Sequence, residues 1–488
     1  MKRILTFFIV FVIASSSWAQ TEKSIKVKPD KDKQFVSTEI DMKTAGYKQT
    51  ARNIWSYAEL GFQENKSSAE LKEILRKEGF KIEEGVSGMP TAFVATYGSG
   101  GQVIGILAEF DALPGLSQDS VPTKKIIEES APGHACGHNL FGTASVAAAV
   151  SLKSWLHQSK KLGTIKLYGT PAEEGGSAKV YMVRDGLFNG VDAVLHWHAS
   201  SANDASPSSC LAIKQTVFRF YGRSSHASAA PHAGRSALDG VEAMNYMVNM
   251  MREHMPTDAR IHYVISNGGM AANVVPDFAE VEYMVRHPDA RMVEELWNRV
   301  VKAAEGAASG TETTMKYEVI SGSYNLVPNE TLSKLMYENL KTVGGVKYSS
   351  SDTEFAKQIQ STLTTKAPEL STAQNIAPYK TGGFFPASTD VGDITWVVPT
   401  TGLGTATWVP GTSAHSWQAV ASSGHNIGLN AMINAAKTIA MTGVDLFNNP
   451  QYSVKAKQEL QQFLGPNFQY KALLGDRMPA LEFRKGRK

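Results

Sequence analysis

The strongest constraint on this chain is a change of rhythm near Cys210. Before it, short apolar stretches alternate with longer ones of helical period. Residues 91–96, 103–107, 164–168 and 191–195 read as strands, and 141–156 and 178–187 as helices. That alternation argues for an α/β layer built on a mainly parallel sheet. After Cys210 the order becomes strand 211–221, helix 235–253, strands 261–265 and 279–286, helix 290–308 and strand 313–319. This is β-α-β-β-α-β, the order of a ferredoxin-like unit. Helical periodicity then resumes at 329–342 and 424–442, and 390–398 leads into a further strand. The expected fold is therefore α/β, with a larger unit (36–209 and 326–446) interrupted by a smaller one (210–325). A weakly patterned tail (447–488) follows.

Composition narrows the possible functions. Lys plus Arg number 49 and Asp plus Glu 46, for a net charge of +3. That balance gives no electrostatic case for nucleic acid or an anionic membrane. Function must then rest on local sites. Lys2 and Arg3 precede an apolar run from Ile4 to Ala14, and small residues lead to Ala19. This is the pattern of a signal peptide (1–19) cut near Ala19, and the run is shorter than the ~20 residues a membrane span needs. The mature protein is expected to be exported, and periplasmic in a cell with two membranes. Cys136 and Cys210 are the two cysteines. A thiolate between two histidines reads as a metal ligand rather than half a disulfide. The basic end of the chain (Arg484, Lys485, Arg487, Lys488) reads as a solvated terminus.

Five segments carry residues able to do chemistry. In Gly133-His134-Ala135-Cys136-Gly137-His138-Asn139, an extended backbone would set His134, Cys136 and His138 on one side. Short Cys/His spacing suits a borderline-soft ion such as zinc. Glu173-Glu174 follows a strand, and two adjacent carboxylates near buried structure need a positive partner. A metal can supply it, with one carboxylate bound and the other free as a base. A helix N-terminus would accommodate the same pair without any metal. His196 and His198 close an apolar strand, His415 sits in a Gly-rich loop, and Glu109 and Asp111 stop another strand. Singly each is modest. Together, three expected strand ends deliver Cys, His or carboxylate, and strand ends are where α/β sheets gather ligands.

The runs AEFDALPG, GHACGHN, GTPAEEGG, DAVLHWHA, GRSSHASAAPHAGRSALDG and AANVVPDFAEVEYMVR, in that order between 51 and 445, resemble the aminoacylase/hippurate-hydrolase/glutamate-carboxypeptidase superfamily of metallopeptidases. The HWHAS segment and the TSAHSWQAVASSGHNIG ending are most similar to its branch concerned with aminobenzoyl-glutamate. The resemblance implies a catalytic domain interrupted by a lid that dimerises. By motif, it implies metal ligation by Cys136, His138, Glu174, His198 and His415, and Glu173 as general base. His226 would reach a partner subunit's active site, and Asn273 and Arg286 would hold the substrate's carboxylate. The implied cofactor is one or two divalent ions (zinc, manganese or cobalt). The implied reaction is hydrolysis of an N-acyl amino acid, with p-aminobenzoyl-glutamate the leading substrate. Alternatives are a dipeptidase, a hydrolase of aliphatic or indole acyl amino acids, and a non-catalytic metal-binding partner subunit. The implied assembly is a homodimer through the lid, or a heteromer with a related subunit. Asn139 departs from the family's commoner Asp at that place, which bears on support for the neighbouring histidine.

Overall fold

The computed structural model describes residues 30–485. The expected leader, 1–19, lies outside the described residues. Among them, no helix is long and apolar enough to cross a membrane.

Six strands form the larger sheet: β1 (Lys81–Glu84), β2 (Phe93–Ser99), β3 (Val103–Ala108), β4 (Gly163–Gly169), β5 (Ala193–Ser200) and, far along the chain, β12 (Thr400–Ala406). Their order is β1-β2-β4-β3-β5-β12. The pairs β4–β3, β3–β5 and β5–β12 are parallel, and β2 runs against both its neighbours. The sheet is thus mixed and mostly parallel, as expected from the alternation. The central strands are apolar almost throughout because both faces are covered.

Helix α3 (His138–Ser159) packs against α1 (Lys31–Tyr57) and α11 (Asn426–Asn448) on one face. It is buried nearly all round, which its Ala-rich, uncharged first four turns allow. Leu140, Phe141, Val150, Leu152 and Trp155 are fully or almost fully buried. Each contributes roughly 1.5–3 kcal/mol of apolar burial before entropy is counted. Helices α2 (Asn65–Lys77), α7 (Glu330–Val343) and α10 (Trp417–Gly424) lie around this layer, and α4 (Ala178–Arg184) contacts α9 (Val391–Thr395). A short parallel pair, β6 (Ser208–Ser209) with β11 (Gly383–Phe384), forms a separate two-stranded sheet.

The second sheet joins β7 (Ala212–Tyr221), β8 (Arg260–Asn267), β9 (Phe278–His287) and β10 (Thr314–Ser323), all antiparallel, in the order β10-β7-β9-β8. Two helices, α5 (Ala237–Met251) and α6 (Ala290–Gly310), cover one face. The expected β-α-β-β-α-β order is present. Helix α6 shows why: Val293, Leu296, Trp297, Val300, Ala304 and Ala307 recur at three and four residues and are buried. Asp289 caps it by accepting from the Arg291 backbone N–H. Strand β9 alternates with period two, burying Ala279, Val281, Tyr283 and Val285.

Three stretches hold local structure that the sequence pattern left open. Within the stretch 390–398, Val391–Thr395 forms a short helix before β12 begins. Asp390 and Asp393 each take long-range partners there, Lys179 and Tyr470, which no strand pattern anticipates. The polar stretch 349–381 contains helix α8 (Ser350–Ser361), opened by a capping box between Ser349 and Asp352. The tail begins with helix α12 (Gln451–Leu464) and then packs across the molecule.

Candidate metal centre

The carboxyl ends of β3, β4 and β5 meet the loop that enters α3. Gly137 makes that entry possible. Its φ is +76°, and a Cβ there would lie 2.4 Å from the Ala199 side chain on β5. The turn sets Cys136 and His138 against β5, with His138 as the first residue of α3. It also breaks the extended alternation expected for 134–138. His134 points elsewhere: its Nε2 lies 3.0 Å from the Ile54 carbonyl, and burial pushes its pKa down to about 3.

Ligand-type atoms of Cys136, His138 and His198 lie within 4.8 Å of one another, and so do those of Cys136, Glu174 and His415. The two groups share Cys136. Its Sγ is 3.7 Å from His198 Nε2, and His415 Nε2 is 3.1 Å from Glu174 Oε1. A third group joins Glu109, His138 and Glu173. Glu173 Oε2 stands 4.0 Å from His138 Nε2.

Hydrogen bonds orient the rings. His138 Nδ1 lies 2.9 Å from Asp111 Oδ1 and 3.1 Å from the Asp111 carbonyl, so it donates there and its Nε2 lone pair faces the cluster. His198 Nδ1 donates to the Ala199 carbonyl at 2.9 Å, leaving Nε2 toward Cys136. His196, two residues back on β5, lies under Gly402, where a Cβ would come within 2.4 Å of the ring. Burial lowers its pKa to about 4. Its ring belongs to neither group around Cys136. His415 has φ +58°, a left-handed conformation that costs a non-glycine residue ~1–3 kcal/mol and persists where surroundings enforce it.

Several buried charges underlie this cluster. Lys179 on α4 is fully buried, 2.7 Å from Glu109 Oε1 and 2.6 Å from Asp390 Oδ1. Burial alone would discharge it, but Asp390 and Glu109 outweigh that effect and hold it charged. Glu64, also buried, accepts from the Ala172 backbone N–H at 2.8 Å and from Thr91 Oγ1. Its pKa is pushed up to about 8 by burial and by Asp111. Asp111 Oδ2 accepts from the Glu174 backbone N–H at 3.0 Å. Burial raises the Glu173 carboxyl, and the charges of Glu109 and Glu174 add to it. Burial likewise pushes the Cys136 thiol up.

This donor set fits divalent ions. His138 Nε2 and Glu174 Oε1 are buried and form no well-aligned hydrogen bond, although Glu109 Oε2 and His415 Nε2 stand 3.0 and 3.1 Å away. Lone pairs of nitrogen, sulfur and oxygen that converge without shared protons are what a cation would satisfy, and the mixture is borderline-soft. Cys136 and Cys210 are both free, and Cys210 instead accepts from the Leu326 backbone N–H.

The lid residues lie apart from this cluster. His226 is exposed, its Nδ1 accepting from the Ala229 backbone N–H, and it pairs through a β-bridge with Val274 beside exposed Asn273. Arg286 on β9 lies against Met284 Sδ. Among the described residues, no hydrogen bond or ion pair joins any of the three to the ligand-type residues around Cys136. Sequence reasoning missed Lys179, Glu64 and Asp390, whose types ordinarily mark surface. Asp111 lay within a noticed motif without a role. Support for His138 comes from Asp111, whereas Asn139 donates to the Ala51 and Ser423 carbonyls. The tail is not simply solvated at Arg484, whose Nη2 donates to the Glu174 carbonyl at 2.6 Å. A cavity of about 440 Å³ opens beside His415, lined in part by Leu116, Gln118, Ile126, Glu128 and Trp417.

Residues 105–419 match the model of Peptidase family M20/M25/M40. The chain is 39% identical to one of the component chains of the p-aminobenzoyl-glutamate hydrolase of Escherichia coli K12, over 88% of this chain and 94% of the relative. It is 29% identical to the Xaa-Arg dipeptidase of Mus musculus, over 84% and 88%. In three dimensions it is similar to a dinuclear metal-binding M20-family peptidase from Bacillus subtilis. There the TM-score is 0.57 at 17% identity, covering 84% of this chain and 99% of that one.

Proposed function

The chain belongs to peptidase family M20/M25/M40, a family of metallopeptidases and amidohydrolases, and from that premise we propose that it hydrolyses aryl-acyl amino acids, p-aminobenzoyl-glutamate first among them. One observation carries the reading. Two ligand groups share Cys136, and Glu173 stands beside them without belonging to either.

Cys136, His138 and His198 would hold one divalent ion, and Cys136, Glu174 and His415 a second, whether zinc, manganese or cobalt. Such ions supply positive charge that lowers the pKa of water to about 7 and polarises a carbonyl oxygen. Glu173 takes the proton from water and delivers it to the leaving amine, a task that suits a carboxyl raised above its usual range. Asp111 keeps His138 in the tautomer that presents Nε2. Lys179 holds Glu109 ionised and in place beneath it. Support for an aromatic acyl group comes from the cavity beside His415, with Trp417 and Ile126 among its walls.

His226 would stabilise the developing oxyanion of a partner subunit's substrate, and Asn273 and Arg286 would hold the substrate carboxylate. Three features support that division. His226 and Asn273 are exposed and belong to none of the ligand groups of their own chain's cluster. Strand β8 is an edge whose Tyr263, Val264 and Ile265 are exposed. Tyr246 and Met250 on α5 are exposed too. An apolar edge of this kind invites pairing with another sheet. The partner is a second copy or a related subunit. The leader pattern supports export.

The test is metal analysis of the mature chain with an amide panel: p-aminobenzoyl-glutamate, hippurate, acetyl and indole-acetyl amino acids, and dipeptides. The aryl-acyl glutamate should have the highest kcat/KM, with bound divalent metal, by the purified chain alone. A dipeptide turned over faster would overturn the substrate. Turnover only beside a second, related subunit would overturn self-sufficiency.

A further inference from the structure

We propose that residues 476–485 form a strap that positions the Glu173–Glu174 loop, with Phe483 and Arg484 as its positioning residues. The route of the chain after α12 is the first ground. Phe468 packs on Trp396, and the Tyr470 hydroxyl donates to Asp393 Oδ1 at 2.6 Å. The Lys471 carbonyl accepts from the Tyr324 hydroxyl at 2.9 Å, and Leu473 lies so close to Gly322 that a Cβ there would meet it at 2.8 Å. These contacts fix the tail where β10 leaves the lid. Next, Arg477 Nη1 pairs with Glu318 Oε1 of β10 at 2.6 Å, while its carbonyl accepts from Arg184 Nη1 of α4 at 2.7 Å. One residue thus bridges both units. The strap ends on the loop that carries the paired carboxylates.

That loop needs external support. Ala172 and Ser177 have φ +53° and +56°, conformations that non-glycine residues keep only where neighbours enforce them. Glu64 grips the Ala172 N–H and Asp111 the Glu174 N–H. Both act through accepting carboxyl oxygens, so both hold donors. The Glu174 carbonyl needs a donor in turn, and Arg484 supplies a charge-assisted one at 2.6 Å. Phe483 meets Phe62 edge-on at 5.7 Å. Its ring lies 3.2 Å from where a Gly61 Cβ would stand and 3.4 Å from that of Gly175. The ring therefore lies on backbone at both glycines and leaves the loop little room to lift. Opposite tethers on the N–H and C=O of Glu174 fix the direction of its side chain.

The kinetic arm of the test rests on the hydrolase reading; the other two arms do not. Three full-length proteins are compared: wild type, Arg484→Ala and Arg484→Lys. In the metal-free proteins, amide hydrogen exchange of the 170–177 segment should quicken about tenfold in Arg484→Ala, the scale of one lost hydrogen bond to a charged group. The rest of the catalytic sheet should exchange as before. Divalent-metal affinity, read by titration with zinc or manganese, should weaken several-fold. With an amide substrate, kcat should fall about tenfold while KM stays within about twofold, because groups that bind substrate are untouched. Arg484→Lys should restore part of each loss. Phe483→Ala should move the same readouts, but Arg484, half-buried at the surface, is the cleaner probe. Unchanged exchange and unchanged metal affinity in Arg484→Ala would overturn the strap, as would a uniform rise in exchange across the whole domain. If the wild-type chain cleaves no amide, exchange and metal affinity still decide.

Discussion

The two sheets bury different things. Under the lid's helices the interior is almost wholly apolar, with Phe218, Phe220, Val281, Val285, Leu296 and Val300 fully buried. Beneath the six-stranded sheet's strand ends, Glu64, Glu109, Asp111, Lys179, Asp390 and His138 are buried together. Each such ionisable group is costly to remove from water unless paired or hydrogen-bonded. A chain that only needed to fold would not collect them. The polar groups assigned to the lid, His226 and Asn273, are by contrast exposed. One region therefore concentrates charge in the interior, as chemistry on water requires. The other is an ordinary core, and the polar groups proposed to recognise substrate stand on its surface.

The sharpest way to break this contrast is to remove the proposed base, Glu173, alone. Glu173→Gln keeps the shape and leaves both ligand groups around Cys136 intact. Turnover is expected to fall by about 10²–10⁴, the range for a positioned general base. Bound metal should remain at the wild-type level. Near wild-type turnover with metal retained would mean that proton transfer resides elsewhere in the buried cluster.

The same contrast explains what could be read from the residues. Apolar period is a local property, so α6 and β9 were legible from spacing alone. Cys136, His138, Glu173 and Glu174 were legible as candidates because Cys, His and paired Glu gather at expected strand ends, whereas His415, in a Gly-rich loop, and the choice of His198 over His196 came from the family resemblance. Lys179 and Glu64 were not. A lysine in a helix and a glutamate before one ordinarily face solvent, and only the three-dimensional pairing with Asp390, Glu109 and the Ala172 N–H gives them an interior place. The short helix at Val391–Thr395 escaped for the same reason, since its flanking aspartates answer to distant residues. The turn at Gly137 defeated strand-like alternation, so His134 parted from Cys136 and His138. The tail's contacts run through single rings and main-chain carbonyls, which leave no periodic trace.

A second prediction sharpens the lid's side of the comparison. Val264 is 58% exposed on edge strand β8, and a lysine there is a common device against edge pairing. Val264→Lys should yield monomers by light scattering with unchanged circular dichroism. If His226 serves a partner's site, the monomer should lose about 10²-fold in kcat, the scale of one oxyanion donor, although Val264 is no part of the hydrolytic cluster. A fully active monomer would return the whole reaction to one chain.

The smallest expected effect tests the joint between the two regions. Asp393 is fully buried in α9, accepting from the Tyr470 hydroxyl at 2.6 Å and from the Tyr324 backbone N–H at 2.9 Å. Burial pushes its carboxyl up from 3.8 to about 7. The folded chain therefore holds a proton there between those two pH values that the unfolded chain has lost. Stability from this group is complete below the unfolded pKa and drains away as pH rises through about 7. Asp393→Asn imitates the protonated form at every pH. At pH 5 the gap between the variant and the wild type already contains the part lost above pH 3.8 together with the exchanged hydrogen bond to Tyr470, and it serves as the baseline. By pH 8 the wild type should have lost on the order of 2 kcal/mol relative to the variant, given ~1.4 kcal/mol per pKa unit and incomplete desolvation. Melting curves of both proteins from pH 5 to 8 read this directly. A gap that stays constant across that range would show that Asp393 enters the fold already charged, and that the Tyr470 and Tyr324 hydrogen bonds suffice to hold a bare carboxylate where lid, tail and catalytic sheet meet.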